Sequence, residues 1–151
     1  MGSIAALLAR MARQRVYLDS NVFIHFLDRN PLYFPLVAPL LEAIDGGDII
    51  GVTGDAAVAE VMVRPYRASD PGLIAGIQSF FGRAGFLSVR SHDAAAFDLA
   101  AQLRARHGMK FIDALHVATA INAECRYLIT NDGDFRSQAA IEVVTLRSLV
   151  A

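Results

Sequence analysis

The stretch "VYLDSN", residues 16–21, joins a strand-like segment to a helix-like one through three consecutive polar side chains. Residues 16–18 are β-branched, aromatic and aliphatic, which is typical of a buried strand. Asp19, Ser20 and Asn21 then interrupt the apolar sequence before "VFIHFLD" resumes it with helical spacing. A polar turn would explain this interruption, and so would an active site at the end of a strand.

The same change from strand pattern to helix pattern recurs along the chain. Short β-type runs bounded by turn residues or charges predict strands at residues 16–18, 49–52, 86–89, 127–130 and 142–145. Helical spacing predicts helices at residues 21–28, 34–44, 55–62, 72–82, 93–106 and 112–123, with Pro65, Pro71 and the turn "RASDPG" breaking the middle of the chain.

Alternating strands and helices indicate crossover connections and a parallel sheet. We therefore expect an α/β fold, a three-layer sandwich with a short, mostly parallel five-stranded sheet flanked by helices. Ligands in such folds bind at the carboxyl ends of the strands. If Asp19 belongs to a site, other polar residues should follow other strands.

Composition limits the class of protein. The chain has 151 residues, enough for one domain with a substantial core, and 54% of them are hydrophobic with a mean hydropathy of +0.39. Charges or turn residues interrupt every apolar run before the roughly 18 residues needed to cross a bilayer. A single cysteine, Cys125, excludes an internal disulfide and fits a reducing compartment. These features predict a cytoplasmic protein without a membrane partner.

The net charge of -1 does not indicate a nucleic-acid-binding protein, but all basic residues except Lys110 are arginine. Arginine is suited to bidentate phosphate contacts and to stacking on bases. GC-rich coding produces the same bias, so the composition leaves both explanations open.

Acidic residues do follow several predicted strands. Asp19 ends the first, Glu60 lies on the helix after the second, and Asp132 and Asp134 lie in "TNDGDF" after the fourth. Asp113 lies in the first turn of the almost wholly apolar helix "KFIDALHVATAINA". The carboxyl ends of parallel strands share one edge of the sheet, so we expect these carboxylates to converge.

Each of these residues also has an ordinary structural explanation. Asp19 could form an Asx turn with Asn21 as a helix cap, and Asp113 at a helix start favours the helix dipole. Asp132 before Gly133 is typical of a turn, and Glu60 could simply be solvated.

His116 lies three residues after Asp113 on the same helix face. A partly buried histidine with its hydrogen bonds satisfied is a more ordinary role for it than that of a metal ligand.

The occurrence of these carboxylates at one edge of the predicted sheet favours a metal site. Carboxylates crowded at one edge repel one another and lose hydration unless a cation compensates, and we expect no Lys or Arg within the motifs to do so. A hard divalent ion such as Mg²⁺ or Mn²⁺ takes carboxylate oxygens, whereas no cysteine cluster or HExxH motif suggests zinc. Carboxylate-bound Mg²⁺ is the usual arrangement for hydrolysing phosphodiesters.

The motifs together resemble the PIN domains, and among them the small VapC-like toxins of prokaryotic toxin–antitoxin pairs. The matching segments are "VYLDSNVFIHFLD", "AAVAEVMVR" with Glu60, "FIDALHVATAINAECRYLITNDGDF" and "IEVVTL". They span nearly the whole chain from Val16, and the segment from Asp113 to Phe135 is the most specific. The segment around Glu60 matches only in general pattern.

The resemblance implies a Mg²⁺- or Mn²⁺-dependent endoribonuclease. Asp19, Glu60, Asp113 and Asp132 match the acidic quartet of the family, with Asp19 and Asp113 holding the metal most directly and the other two completing its shell. Asp134 matches an acidic position that some members use instead of, or beside, Asp132. Asn21 and Thr130 match polar residues that orient the carboxylates.

The resemblance also implies partners. VapC-like proteins are typically dimers bound by a cognate antitoxin that inserts a peptide into the acidic groove. For the RNA substrate, Arg64, Arg67 and Arg136 are candidate contacts near that groove.

Fifteen residues precede Val16, more than such proteins usually have. We therefore divide the chain into an N-terminal extension, residues 1–15, and a PIN-like nuclease domain, residues 16–151. The natural start could be Met11, or the first ten residues could form an amphipathic helix with its own partner.

Two other functions compete with the ribonuclease. One is a non-catalytic PIN-like module that binds RNA or protein, although all four acidic positions are filled. The other is a phosphatase of the HAD type, which needs a second aspartate two residues after the first, where this chain has Asn21.

Overall fold

The computed structural model describes residues 3–135, 137–138 and 140–150, which form five parallel strands and seven α-helices. The strands are β1 Arg15–Leu18, β2 Ile50–Gly54, β3 Leu87–Arg90, β4 Tyr127–Thr130 and β5 Glu142–Thr145. The helices are α1 Ile4–Met11, α2 Ser20–Leu27, α3 Phe34–Asp45, α4 Asp55–Arg67, α5 Pro71–Gly82, α6 Ala94–His107 and α7 Phe111–Asn122. A short 3₁₀ helix, Leu146–Leu149, follows β5.

The sheet has the strand order β3-β2-β1-β4-β5, and every neighbouring pair is parallel. The chain builds one half of the sheet from β1 outward to β3 and the other half from β4 to β5. The order therefore reverses between β1 and β4, and crevices outside the carboxyl ends of strands form at such reversals.

The core lies on both faces of the sheet, because successive side chains of a strand point in opposite directions. In β1, Val16 and Leu18 pack against one set of helices, whereas Tyr17 packs on the opposite face against α6 and α7. Along β4, Ile129 and Leu128 divide between the two faces in the same way. The predicted three-layer α/β sandwich is confirmed.

The predicted strands agree with the structure to within two residues at each end, but one helix boundary is wrong. Pro65 was expected to break the chain, whereas α4 continues through it to Arg67. A proline inside a helix removes the hydrogen bond to the carbonyl four residues before it, here that of Val61. The Pro65 ring is buried, and this packing favours the helical conformation. Pro71 does mark a boundary, since it occupies the first turn of α5.

The N-terminal segment forms an amphipathic helix whose packing partner is this chain itself. Leu7 and Met11 of α1 are buried in the core that α1 shares with α3. Arg10 forms an exposed ion pair with Glu142 of β5 at 2.7 Å. The division of the chain after residue 15 stays a prediction.

Among the described residues, no helix is long and apolar enough to cross a membrane.

Candidate metal centre

Asp19 lies directly after β1 and caps α2. Its Oδ1 atom accepts a hydrogen bond from the backbone N–H of Ser20 at 2.8 Å. Helix α2 begins at Ser20, so Asp19, and not Asn21, is its cap. The carboxyl group is buried, with Asp19 only 6% exposed.

The second oxygen of Asp19 ties the end of β1 to the end of β4. Asp19 Oδ2 accepts hydrogen bonds from the Thr130 hydroxyl at 2.7 Å and from the Asn21 amide at 3.3 Å. Asn21 Oδ1 in turn accepts from the backbone N–H of Asn131 at 3.0 Å. These contacts agree with the orienting role expected of Asn21 and Thr130, and that role stays a prediction.

Asp113 combines burial with a carboxylate oxygen that has no hydrogen-bond partner in the described part of the chain. It is 5% exposed in the first turn of α7, and its Oδ2 atom has no hydrogen-bond partner among the described residues. Burial, followed by the negative charges of Asp132 and Asp19, raises the pKa of Asp113 from 3.8 to about 6, while Lys110 opposes the shift. A buried polar atom without a partner carries a desolvation cost that a bound cation would remove.

Asp132 and Asp134 lie in the turn after β4, close to Asp113. The backbone N–H of Asp132 donates to Thr130 Oγ1 at 3.0 Å, and that of Asp134 donates to Asp132 Oδ1 at 2.8 Å. Carboxylate oxygens of Asp113, Asp132 and Asp134 lie within 4.8 Å of one another. Asp132 is thus both a turn residue and a member of an acidic cluster, so its two interpretations are compatible.

The expectation that no cation pairs with these motifs is wrong. Lys110 Nζ lies 3.0 Å from Asp134 Oδ2, and both side chains are largely exposed. Sequence spacing does not reveal this pair, because Lys110 directly precedes α7 whereas Asp134 lies in the turn after β4. Lys110 compensates the most exposed carboxylate of the cluster, and Asp113 Oδ2 still has no hydrogen-bond partner within the described ranges.

Glu60 reaches the site through Ser20 rather than through the other carboxylates. The Ser20 hydroxyl donates to Glu60 Oε2 at 2.7 Å, which links α4 to the start of α2. Glu60 is exposed and lies outside the group formed by Asp113, Asp132 and Asp134. Ser20 is therefore a site residue that sequence reasoning did not single out, although it lies inside the "DSN" turn.

The residues present fit a hard divalent cation. The available donors are carboxylate oxygens, which Mg²⁺ and Mn²⁺ prefer, and one of them is buried without a hydrogen-bond partner in the described part of the chain. The group formed by Asp113, Asp132 and Asp134 could hold such an ion, whereas binding by Asp19 and Glu60 stays a prediction.

The three arginines proposed to contact RNA differ in what the structure describes. Arg64 and Arg67 are exposed in the last turns of α4, and Arg64 forms an ion pair with Asp28. Arg136 lies outside the described residues. Their contact with RNA stays a prediction.

The chain matches a known protein family. The family model of the PIN domain matches residues 16–141. No match was found among curated proteins.

Three solved structures share the fold at low sequence identity. VapBC2 from Rickettsia felis, bound to a promoter DNA fragment, is 15% identical with a TM-score of 0.68, covering 87% of this chain and 98% of that one. A toxin–antitoxin complex from Klebsiella pneumoniae is 20% identical with a TM-score of 0.65, covering 87% and 97%. VapC20 from Mycobacterium tuberculosis, a sarcin-ricin loop cleaving toxin, is 14% identical with a TM-score of 0.62, covering 80% and 92%.

Proposed function

The chain belongs to the PIN domain family, and from this premise we propose that it is a Mg²⁺- or Mn²⁺-dependent endoribonuclease and the toxin of a toxin–antitoxin pair. One observation carries the proposal. A buried carboxylate, Asp113, has an oxygen with no hydrogen-bond partner among the residues that the structure describes, and it lies beside Asp132 and Asp134 at the edge of the sheet where the strand order reverses. Such an arrangement is costly unless it binds a cation.

The proposed roles follow from the contacts. Asp19 and Asp113 bind the metal directly, and Glu60 and Asp132 complete the site. Thr130 and Asn21 fix the Asp19 carboxylate by donating to Oδ2, and Ser20 holds Glu60 beside it. When bound, the ion lowers the pKa of a water nucleophile and stabilises charge on the attacking and leaving oxygens.

The substrate and partners are proposed from the neighbours. VapC20 is described as cleaving the sarcin-ricin loop, and VapBC2 and the Klebsiella protein as toxin–antitoxin complexes. We propose an RNA substrate for this chain, cut at an exposed single-stranded loop and contacted by Arg64, Arg67 and Arg136. A cognate antitoxin, a homodimeric state and a cytoplasmic location belong to the same proposal.

Expression in a bacterial host tests the toxin function. The wild-type chain should arrest growth, and Asp19→Ala or Asp113→Ala should abolish the arrest at equal protein level. Equal toxicity of these variants and the wild type would refute metal-dependent catalysis by these residues.

Calorimetry with Mn²⁺ separates the nuclease from a non-catalytic module. The nuclease should bind Mn²⁺ through Asp19 and Asp113, so both alanine variants should lose the heat of binding. A wild-type protein that binds RNA but no Mn²⁺ would favour the binding module instead.

A further inference from the structure

We propose that His116 is a positioning residue for Asp19 and acts through its Nε2–H group. A hydrogen bond from the Tyr17 hydroxyl to Nδ1 selects the tautomer of His116 that has its hydrogen on Nε2. The inference deepens the proposed function and rests on Asp19 being a metal ligand. His116 does not itself bind the ion in this proposal. Its effect is to hold the carboxylate in position before the ion arrives.

The geometry places His116 between Tyr17 and Asp19. His116 is 2% exposed on α7, one turn after Asp113. Its Nδ1 atom lies 2.7 Å from the Tyr17 hydroxyl, which is a hydrogen-bond distance. Its Nε2 atom lies 3.9 Å from Asp19 Oδ1, which is longer than a hydrogen bond, so an Nε2–H group acts on that oxygen by electrostatic attraction. Tyr17 and Asp19 are two residues apart around the end of β1, so one imidazole bridges two groups placed by the same strand.

The hydrogen bond to Tyr17 determines which nitrogen carries the proton. Tyr17 is fully buried, and a phenol carries its proton at neutral pH, so the hydroxyl needs an acceptor. Among the described residues, His116 Nδ1 is the group within hydrogen-bond distance of that hydroxyl. When the hydroxyl donates to Nδ1, the neutral imidazole carries its hydrogen on Nε2, facing Asp19.

The opposite tautomer is disfavoured at both ends. A proton on Nδ1 would donate to the Tyr17 oxygen and leave the buried phenol hydrogen without an acceptor. It would also point the Nε2 lone pair at the Asp19 carboxylate. The contacts at Nδ1 and Nε2 therefore favour the same tautomer of the neutral imidazole.

The consequence is that Asp19 is constrained from both of its oxygens. Oδ2 accepts from Thr130 and Asn21, while Oδ1 accepts from the Ser20 N–H and faces His116 Nε2. Ring contacts hold the imidazole in turn, since the ring centroids of His92 and Phe135 lie 5.7 and 6.5 Å from that of His116. Groups that orient a metal ligand typically contribute about 10- to 100-fold in metal affinity.

Two isosteric variants distinguish positioning from a purely structural role. The amide nitrogen of glutamine can take the place of Nε2, whereas asparagine can offer an oxygen near Nδ1. His116→Gln therefore keeps a donor for Asp19 and loses the acceptor for Tyr17, and His116→Asn does the reverse.

Calorimetry with Mn²⁺ on the full chain gives the readout. If His116 positions Asp19, His116→Asn should weaken Mn²⁺ binding by about 10-fold or more, while His116→Gln stays within about 3-fold of wild type. Wild-type affinity for His116→Asn, or weaker binding by His116→Gln than by His116→Asn, would overturn the inference. If the wild type itself binds no Mn²⁺, the proposed metal site fails.

A second measurement needs no substitution at His116 and no metal. Nitrogen-15 NMR of the metal-free wild-type protein distinguishes protonated from unprotonated ring nitrogens. We expect His116 with a hydrogen on Nε2 and none on Nδ1, and we expect Tyr17→Phe to weaken this preference. A neutral His116 protonated on Nδ1 in the wild type would contradict the inference even if the variants do not fold.

Discussion

Replacing Asp113 by asparagine should make the metal-free protein more stable while removing its function. In the wild type, a carboxyl group that is 5% exposed has an unpartnered Oδ2 and lies near the negative charges of Asp132 and Asp19. Asparagine keeps the shape and removes the charge. Its amide N–H groups face a cluster of carboxylate oxygens that lie within 4.8 Å of one another.

The magnitude follows from the pKa of Asp113. Burial and the neighbouring charges raise it from 3.8 to about 6, so near pH 5 the folded state binds more protons than the unfolded state. Stability therefore falls as pH rises from about 4 through 6, and the full cost is present at pH 7. A shift of this size corresponds to at most about 3 kcal/mol, and screening by water at the open side of the cluster reduces our expectation to about 1–2 kcal/mol.

Urea unfolding in the presence of a chelator measures this effect. At pH 7, Asp113→Asn should raise the free energy of unfolding by about 1–2 kcal/mol, and the gain should shrink toward zero near pH 4, where wild-type Asp113 is protonated. Asp98→Asn is a matched control, because Asp98 is an exposed residue of α6. It should change the free energy of unfolding by less than about 0.5 kcal/mol at either pH.

Added Mg²⁺ should make the wild type more stable than Asp113→Asn, which reverses their order of stability. A ligand that binds only the folded state at about 100 times its Kd stabilises it by about 2.7 kcal/mol, and this gain should be confined to the wild type. The reasoning would be refuted if Asp113→Asn destabilised the metal-free protein at pH 7, or if the difference between the proteins did not vary with pH.

Substitutions at three further positions test the supporting structure, each by urea unfolding. Thr130→Val should lower the free energy of unfolding by about 1–3 kcal/mol, because the hydroxyl donates to buried Asp19 and accepts a backbone N–H. Thr130→Ser keeps the hydroxyl and should lose much less. Equal losses in the two variants would refute this account. Leu7→Ala should cost about 2–4 kcal/mol, because this residue of α1 is buried in the core; a loss below about 0.5 kcal/mol would show that α1 is dispensable. Gly54→Ala should cost about 1–3 kcal/mol, because the added Cβ would lie 2.4 Å from His92 Cε1; unchanged stability would contradict this close approach.

Sequence patterns predicted the sheet and its polar edge well, because both depend on local features. Five short β-type runs gave the strands, and the polar "DSN" and "TNDGD" turns follow β1 and β4, the two strands where the order reverses. Asp113 lies in a very apolar helix, and the structure buries it there. These features needed only periodicity and the rule that parallel strands end at one edge.

The missed features depend on contacts between distant segments. Pro65 lies inside α4, where burial of its ring favours the helix despite the lost hydrogen bond. The pairing of Lys110 with Asp134, and the link from Ser20 to Glu60, join segments that are far apart in the sequence and meet only in the folded chain. Alternation along β1 could have placed Tyr17 on the α7 side, but no local signal pairs it with His116.

The most direct test of the central claim is cleavage of a single-stranded RNA by the purified protein. With Mg²⁺ or Mn²⁺, the wild type should cut the RNA internally, whereas a chelator or Asp113→Asn should stop the reaction while the protein stays folded. Cleavage that persists at the wild-type rate both with the chelator and in Asp113→Asn would contradict a metal-dependent acidic site.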